Sequence, residues 1–159
     1  MRKAALLQLF ATLAVSLAWS QAPPKNILDR FPESEDKETV TSTCSACHTL
    51  ARVAANNRDA AQWTQTIKAH NTRGLKLEPD EVPPIVRYLS TYFGPKVYVN
   101  TASADELSRL PHFDKKLAET VVRYREQHGP FKSVDEVIPL IGADTFAQVK
   151  NRLAIGASS

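Results

Sequence analysis

Apolar positions recur at helical spacing along most of the chain, and this pattern predicts an all-α fold. The clearest case follows Asp59, a suitable N-cap, because Trp63, Ile67 and His70 fall at i, i+4 and i+7 and share one helix face. Gly74 stops the extension of this helix. The sequence therefore predicts a helix over about 59–70 whose inner face carries an aromatic, an aliphatic and an imidazole side chain.

One further helix is expected before this one and another after it. The first spans about 35–47 and begins with acidic side chains, as the helix dipole favours. The other spans about 80–93 and accepts two prolines in its first turn. The stretch 51–58 is polar and is expected to be irregular. Gly94-Pro95 ends the last of these helices and predicts a domain boundary after residue 95.

The remainder of the chain predicts a second, separate helical unit. Ser103 with Glu106 forms a capping box. A short helix is expected over about 105–110 and a longer one over 115–127. Another short helix is expected to begin at a second capping pattern, 133–136, and the last helix is expected over 144–153. Only 97–100 reads as extended, so strand content is expected to be negligible. The predicted organisation is an extended lead-in at 21–34, a helical domain at 35–95 and a second helical domain at 96–156.

Residues 1–20 read as a secretory signal peptide. Arg2 and Lys3 precede an apolar run, and Ala18-Trp19-Ser20 has the small-x-small pattern of a cleavage site. An uncleaved anchor is the alternative, but the run is short for a membrane span, which needs about 20 apolar residues. We therefore expect a periplasmic or otherwise exported protein with no membrane span after cleavage.

Composition and net charge exclude several classes of protein. The chain has 159 residues, and hydrophobic residues make up 43% of them, which excludes a disordered or fibrous protein. The formal charge is +3, and removal of the signal leaves 18 basic against 17 acidic side chains. This balance is too mild to indicate a polyanionic partner.

The segment Cys44-Ser45-Ala46-Cys47-His48 carries the most specific chemistry. Two thiols and an imidazole at this spacing attach haem, because the thiols add to its vinyl groups and the imidazole reaches the iron. A disulfide here would close a loop too small to constrain the fold. A thioredoxin-like motif needs a βαβ context, and a zinc site needs two more ligands. The predicted cofactor is one covalently attached haem c.

The haem motif resembles that of small class I c-type cytochromes of bacterial periplasms, and the resemblance extends to Arg52, Arg58, Trp63 and residues 88–94. The resemblance implies that Arg52, Arg58 and Trp63 lie near the haem propionates; the alternative is surface charge for the arginines and ordinary core for Trp63. Members of that family usually complete the iron with a methionine, and the only one in this chain is Met1, inside the signal.

The resemblance also indicates a replacement for the missing methionine. In related cytochromes the distal methionine comes seven residues after the tryptophan and four before a glycine, and His70 holds that place here. It therefore implies His48 and His70 as iron ligands, and a lower reduction potential than a thioether gives. A five-coordinate iron with His70 at the haem edge is the alternative.

Residues 97–155 resemble the tandem helix-hairpin-helix domain of exported competence-type DNA receptors. They are also similar to an extrinsic lumenal protein of photosystem II, which uses this fold to dock onto protein. In the DNA-binding form each hairpin reads Gly-hydrophobic-Gly, so that backbone N–H groups approach phosphate. Here the first hairpin has His112 and Asp114 in place of the glycines, and the second keeps only Gly142. Nine basic and eight acidic residues over 96–155 leave no electrostatic footprint for DNA.

The expected function is that of an exported mono-haem electron carrier and not an enzyme. Its helix-hairpin-helix domain is expected to dock onto a redox partner protein in the cell envelope. The alternative is an exported DNA-binding protein whose haem acts as a sensor or stabiliser. A haem peroxidase is disfavoured because no catalytic Arg/His pair is evident.

Overall fold

The computed structural model describes residues 26–156, and this part of the chain is mostly helical, as predicted. The signal peptide and residues 21–25 lie outside the described residues. The α-helices are α1 (Lys37–Ser45), α2 (Leu50–Ala54), α3 (Ala60–His70), α4 (Val82–Tyr92), α5 (Ala104–Leu107), α6 (Lys115–His128), α7 (Ile138–Ile141) and α8 (Ala143–Val149). Two parallel strands, β1 (Val97–Tyr98) and β2 (Leu153–Ala154), pair with each other. None of the helices described is long and apolar enough to cross a membrane.

Local sequence signals explain the helix that matters most for the site. Asp59 caps α3, because its Oδ1 accepts from the backbone N–H of Gln62 at 2.8 Å while the Gln62 side chain accepts from the Asp59 N–H. The helix ends in a wide turn, Asn71–Leu75, where Gly74 has a φ of 107°. That conformation requires glycine, so the predicted stop is confirmed.

Two expectations about the first unit were wrong. Residues 51–58 are not irregular throughout, because α2 occupies Leu50–Ala54 and buries Leu50 and Val53. The lead-in is not extended over Ile27–Arg30, which form a 3-10 helix closed by a capping box on Asn26. Both elements are shorter than two helical turns, so the apolar period has too few positions to be recognised in the sequence.

The second unit follows its predicted order with small shifts. The Ser103–Glu106 capping box is confirmed. The element after Ser133 starts as a 3-10 helix, Val134–Val137, and the Ser133 side chain makes no cap hydrogen bond, so that expected cap is wrong. The final helix ends at Val149 instead of 153, because Leu153 pairs with Val97 in the two-stranded sheet.

The buried apolar side chains form two clusters. One joins Phe31 and residues of α1–α4 up to Phe93, and the other runs from Val99 to Leu153. The segment between them contains Pro95 and Lys96, where the sequence predicts the domain boundary.

The two clusters are linked by hydrogen bonds from the turn after α8. Lys150 Nζ donates to the carbonyl of Asp29, and Asn151 Nδ2 donates to the carbonyl of Arg30. Arg152 Nη1 donates to the carbonyl oxygens at the end of α4. The end of the second unit is therefore fastened to both ends of the first.

Candidate haem-binding site

The first unit encloses a cavity of about 570 Å³ between α1, α2, α3, α4 and the turn after α3. All seven residues singled out in the sequence as haem or iron ligands line it: Cys44, Cys47, His48, Arg52, Arg58, Trp63 and His70. The fold thus brings together side chains that lie up to 26 positions apart in the chain.

The two thiols lie where α1 ends. Cys44 is in the last turn of the helix, and Cys47 follows it in the turn that leads to α2. Both are free thiols, with Cys44 half-buried and Cys47 exposed. Burial raises the pKa of Cys44 to about 11, so this thiol is protonated at neutral pH.

The two imidazoles lie close together in the lining of the cavity. The ring centres of His48 and His70 are 6.2 Å apart and the ring planes are inclined by 79°. Nδ1 of His70 lies 2.8 Å from the carbonyl oxygen of Thr66, one turn earlier in α3. A hydrogen bond at Nδ1 leaves Nε2 as the nitrogen available to a ligand. Nδ1 of His48 is buried and has no hydrogen-bond partner within residues 26–156.

Arg58 and Trp63 form one wall of the cavity. The Arg58 backbone N–H donates to the carbonyl of Phe93, and its Nη1 donates to Thr66 Oγ1 at 3.1 Å. These bonds hold the guanidinium over the Trp63 ring, 5.5 Å from its centre, which is a cation–π geometry. Trp63 is buried, and in the described part of the chain its Nε1 donates to nothing. An unpartnered buried donor indicates a site built for an acceptor that the protein itself does not supply.

Sequence reasoning missed part of the cavity lining. Ile85 and Leu89 belong to the apolar face that the sequence predicts for the helix over 80–93, and the structure places them in a wall of the cavity, which the sequence did not predict. Arg73 and Leu75 lie in the turn after α3, where nothing in the sequence marks them. Across residues 26–156, no group of three or more His, Cys, Asp or Glu side chains is arranged to hold a metal ion.

The hairpins of the second unit differ from a phosphate-binding arrangement. His112 occupies the first glycine position with a φ of 56°, a left-handed conformation that glycine adopts more easily. Asp114 caps α6, and its Oδ1 accepts from the Leu117 N–H at 2.8 Å. The carboxylate therefore takes the helix N-terminus that a phosphate would otherwise use. In the second hairpin Gly142 opens α8 with a φ of 83°.

Comparison with known families gives a separate match for each part of the chain. Residues 8–73 match the haem-binding domain of the quinohemoprotein amine dehydrogenase A alpha subunit. That range contains every cavity residue predicted from the sequence. Residues 93–154 match the helix-hairpin-helix motif. The chain is thus similar to a haem-binding domain followed by a helix-hairpin-helix domain.

Individual relatives share only segments of the chain. A rat (Rattus norvegicus) endonuclease/exonuclease/phosphatase family domain-containing protein 1 is 38% identical over 48 residues, which are 30% of this chain and 8% of the relative. An uncharacterized Neisseria meningitidis protein is 39% identical over 61 residues, 37% of this chain and 8% of the relative. An uncharacterized Haemophilus influenzae protein is 36% identical over 58 residues, 36% of this chain and 52% of the relative. No solved structure matches.

Proposed function

We propose that the protein is an exported electron carrier with one covalently attached haem c in the first-unit cavity. The observation that carries this proposal is the meeting of both thiols and both imidazoles around one largely apolar cavity. The similarity of residues 8–73 to a haem-binding domain supports it independently.

The spacing of the imidazoles fits an iron held from two sides. If His48 and His70 held one metal ion from opposite sides, at the metal–nitrogen distances of about 2.0–2.1 Å known for zinc, their ring centres would lie roughly 6 Å apart. The observed separation of 6.2 Å between the His48 and His70 rings agrees with that value. A pair of protein ligands is sufficient for haem iron, since a porphyrin supplies the other four nitrogens.

The chain's own residues would then have distinct roles. The thiols of Cys44 and Cys47 would each add across one vinyl group of the haem. The sulfur would bond to one vinyl carbon and the thiol hydrogen would go to the other, so that no oxidant or reductant is needed. Ile85 and Leu89 keep water from one side of the cavity. Arg58 and the Trp63 N–H would meet the propionates. When bound, haem would supply reversible one-electron chemistry, and His48 and His70 would hold its iron.

Covalent attachment is tested by a haem stain after denaturing electrophoresis. We expect the exported wild-type protein to retain the stain, and Cys44→Ser with Cys47→Ser to lose it completely. Ser45→Ala, an exposed change in the same turn, is the matched control and should stain like wild type. A wild-type protein that releases all its haem on denaturation would refute covalent attachment.

Axial ligation is tested by the electron paramagnetic resonance spectrum of the oxidised protein. We expect a low-spin signal in wild type and a high-spin one in His70→Ala. His128→Ala is the control, because His128 lies at the end of α6, outside the cavity. A high-spin wild-type signal would refute His70 as a ligand while leaving haem attachment intact.

We propose protein docking as the role of the helix-hairpin-helix unit. Tyr124 is 36% exposed, and its ring stacks on two others, with ring-centre distances of 4.3 Å to His128 and 5.5 Å to Phe131. A preordered surface aromatic is a feature of protein interfaces. Tyr124→Ala should slow electron exchange with a partner preparation from the cell envelope and leave the haem spectrum unchanged. Equal exchange rates in wild type and variant would argue against this face.

DNA binding is the second candidate function, and the helix-hairpin-helix match is the observation that favours it. Two observations argue against DNA binding. The Asp114 carboxylate caps α6 where a phosphate would bind, and Arg125 donates to the carbonyl of Val99 at 2.6 Å. Titration of the protein with fluorescent duplex DNA at low salt separates the two candidates. Tight binding that weakens steeply as salt rises would favour DNA.

A further inference from the structure

A second cavity, of about 370 Å³, lies where the chain enters the helix-hairpin-helix unit. Its walls carry three cationic side chains, Lys96, Arg109 and Arg152, and a single carboxylate, that of Glu106. None of its lining residues also lines the first-unit cavity, in which haem is proposed to bind. The proposed electron-carrier function therefore does not account for it.

The cations nearest the junction between the units are held by neutral groups. Lys96 Nζ donates to the carbonyl of Asn151 at 2.6 Å. Arg152 donates through Nε to the carbonyl of Pro95 at 2.7 Å and through Nη1 to that of Thr91 at 2.9 Å. Carbonyl oxygens fix the positions of these side chains but do not neutralise their charge. Within residues 26–156, neither Lys96 nor Arg152 forms a salt bridge.

The single carboxylate in the cavity is already committed. Glu106 Oε2 accepts from the backbone N–H of Ser103 at 2.7 Å and from its hydroxyl at 2.9 Å. These bonds tie the carboxylate to the cap of α5. The Arg109 side chain is exposed and makes no hydrogen bond to any residue that the structure describes, although its charge is near enough to help lower the pKa of Glu106.

The clustered charges make the cavity electropositive. Burial, together with the nearby charges of Arg30 and Arg152, lowers the pKa of Lys96. Like charges gathered in a partly desolvated place oppose folding unless a counter-charge joins them. The volume falls in the range of about 300–1,000 Å³ that is common for small-molecule sites.

We propose that this cavity binds a small oxyanion, a molecule that carries a phosphate or carboxylate group. Arg109 would offer its free guanidinium, and Lys96 and Arg152 would offer charge together with the donors their carbonyl contacts leave unused. The Tyr98 and Thr101 hydroxyls also line the cavity, make no hydrogen bonds within residues 26–156 and would complete the set of donors.

The test is calorimetric titration of the purified protein with inorganic phosphate, and separately with succinate. Ionic strength is held constant with chloride in both titrations. We expect saturable binding of at least one anion with a stoichiometry of one. Lys96→Gln and Arg109→Gln should each weaken it by about tenfold, the effect of losing one hydrogen bond to a charged group. Lys116→Gln and Arg123→Gln, exposed residues of α6 that do not line the cavity, should bind like wild type.

Three results would overturn the proposal. The first is no saturable binding of either anion. The second is an equal loss of affinity in the α6 controls, which would indicate general surface electrostatics. The third is a Lys96- and Arg109-dependent binding of duplex DNA or anionic vesicles when neither small anion binds. If Lys96→Gln fails to fold after losing its contact with Asn151, Arg109→Gln decides alone, because the Arg109 side chain makes no hydrogen bond within the described part of the chain.

Discussion

Gly94 is the position where a single methyl group should disturb the junction between the two units. It is buried directly after α4, and a Cβ built there lies 2.3 Å from the Ser90 carbonyl oxygen and 3.0 Å from Arg152 Cζ. The first neighbour is helix backbone and cannot move aside cheaply. The second is the guanidinium whose Nη1 reaches the carbonyls of Ser90 and Thr91. Gly94→Ala must therefore shift the chain or expel Arg152 from its place.

The size of the expected loss of stability follows from these two contacts. Overpacking at a buried site costs about 1–3 kcal/mol. Loss of hydrogen bonds from a charged group costs about 1.5–3 kcal/mol, and half-buried Arg152 belongs at the lower end of that range. We expect Gly94→Ala to lower the free energy of unfolding by about 3–4 kcal/mol, a fall in Tm on the order of 10 °C for a chain of this size.

The assay is urea unfolding followed by circular dichroism, with two reference variants. Gly156→Ala is the matched control, because its added Cβ meets nothing within 4 Å, and it should unfold like wild type. In an Arg152→Ala background, Gly94→Ala should cost less, since only the Ser90 contact remains. A Gly94→Ala protein within about 0.5 kcal/mol of wild type, the usual effect of an innocuous surface change, would refute the reasoning.

Three other predictions concern stability. Asp59→Ala removes the α3 capping box and should cost about 1 kcal/mol, whereas Asp59→Asn should cost a fraction of that, as measured by urea midpoints. The Tyr88 hydroxyl donates to the Pro32 carbonyl, and burial raises the pKa of this hydroxyl above the unfolded value of about 10. The stability that the neutral hydroxyl contributes is therefore intact below about pH 10 and is lost as the pH rises above that value. Tyr88→Phe should therefore lower stability at neutral pH and flatten the alkaline decline, whereas an unchanged decline would contradict this. Arg87→Ala breaks an ion pair in which Arg87 is exposed and Asp36 is half-buried, and it should lower stability by about 1 kcal/mol at physiological salt.

Local chemistry determined the secondary structure where the signals are strong and close in sequence. The cap at Asp59, the 3.6-residue period through Ile67 and the stop at Gly74 all lie on one helix, so α3 is readable without tertiary information. The capping box at Ser103 is equally local. Elements such as α2 were missed because a helix of five residues has too few apolar positions to establish a period, and its stability comes from burial in the core.

The haem-attachment motif could likewise be recognised from the sequence alone, since Cys44, Cys47 and His48 are neighbours in the chain. His70 was inferred only by analogy, from its distance to Trp63 and Gly74. Helix periodicity fixes the face on which an imidazole lies, but it does not fix which element packs against that face. The 6.2 Å separation of the two rings depends on how α1 and α3 each pack on α4, which is a tertiary property.

The second cavity could not have been read from the sequence at all. Lys96 and Arg152 are 56 positions apart, and nothing in their neighbourhoods marks either residue. They meet because β1 pairs with β2 and carries the last turn of the chain back to the segment that follows α4. Periodicity and motifs act over a few residues, so they determined the helices and the haem motif. The charges gathered at the junction depend on long-range packing, and only the tertiary structure decided them.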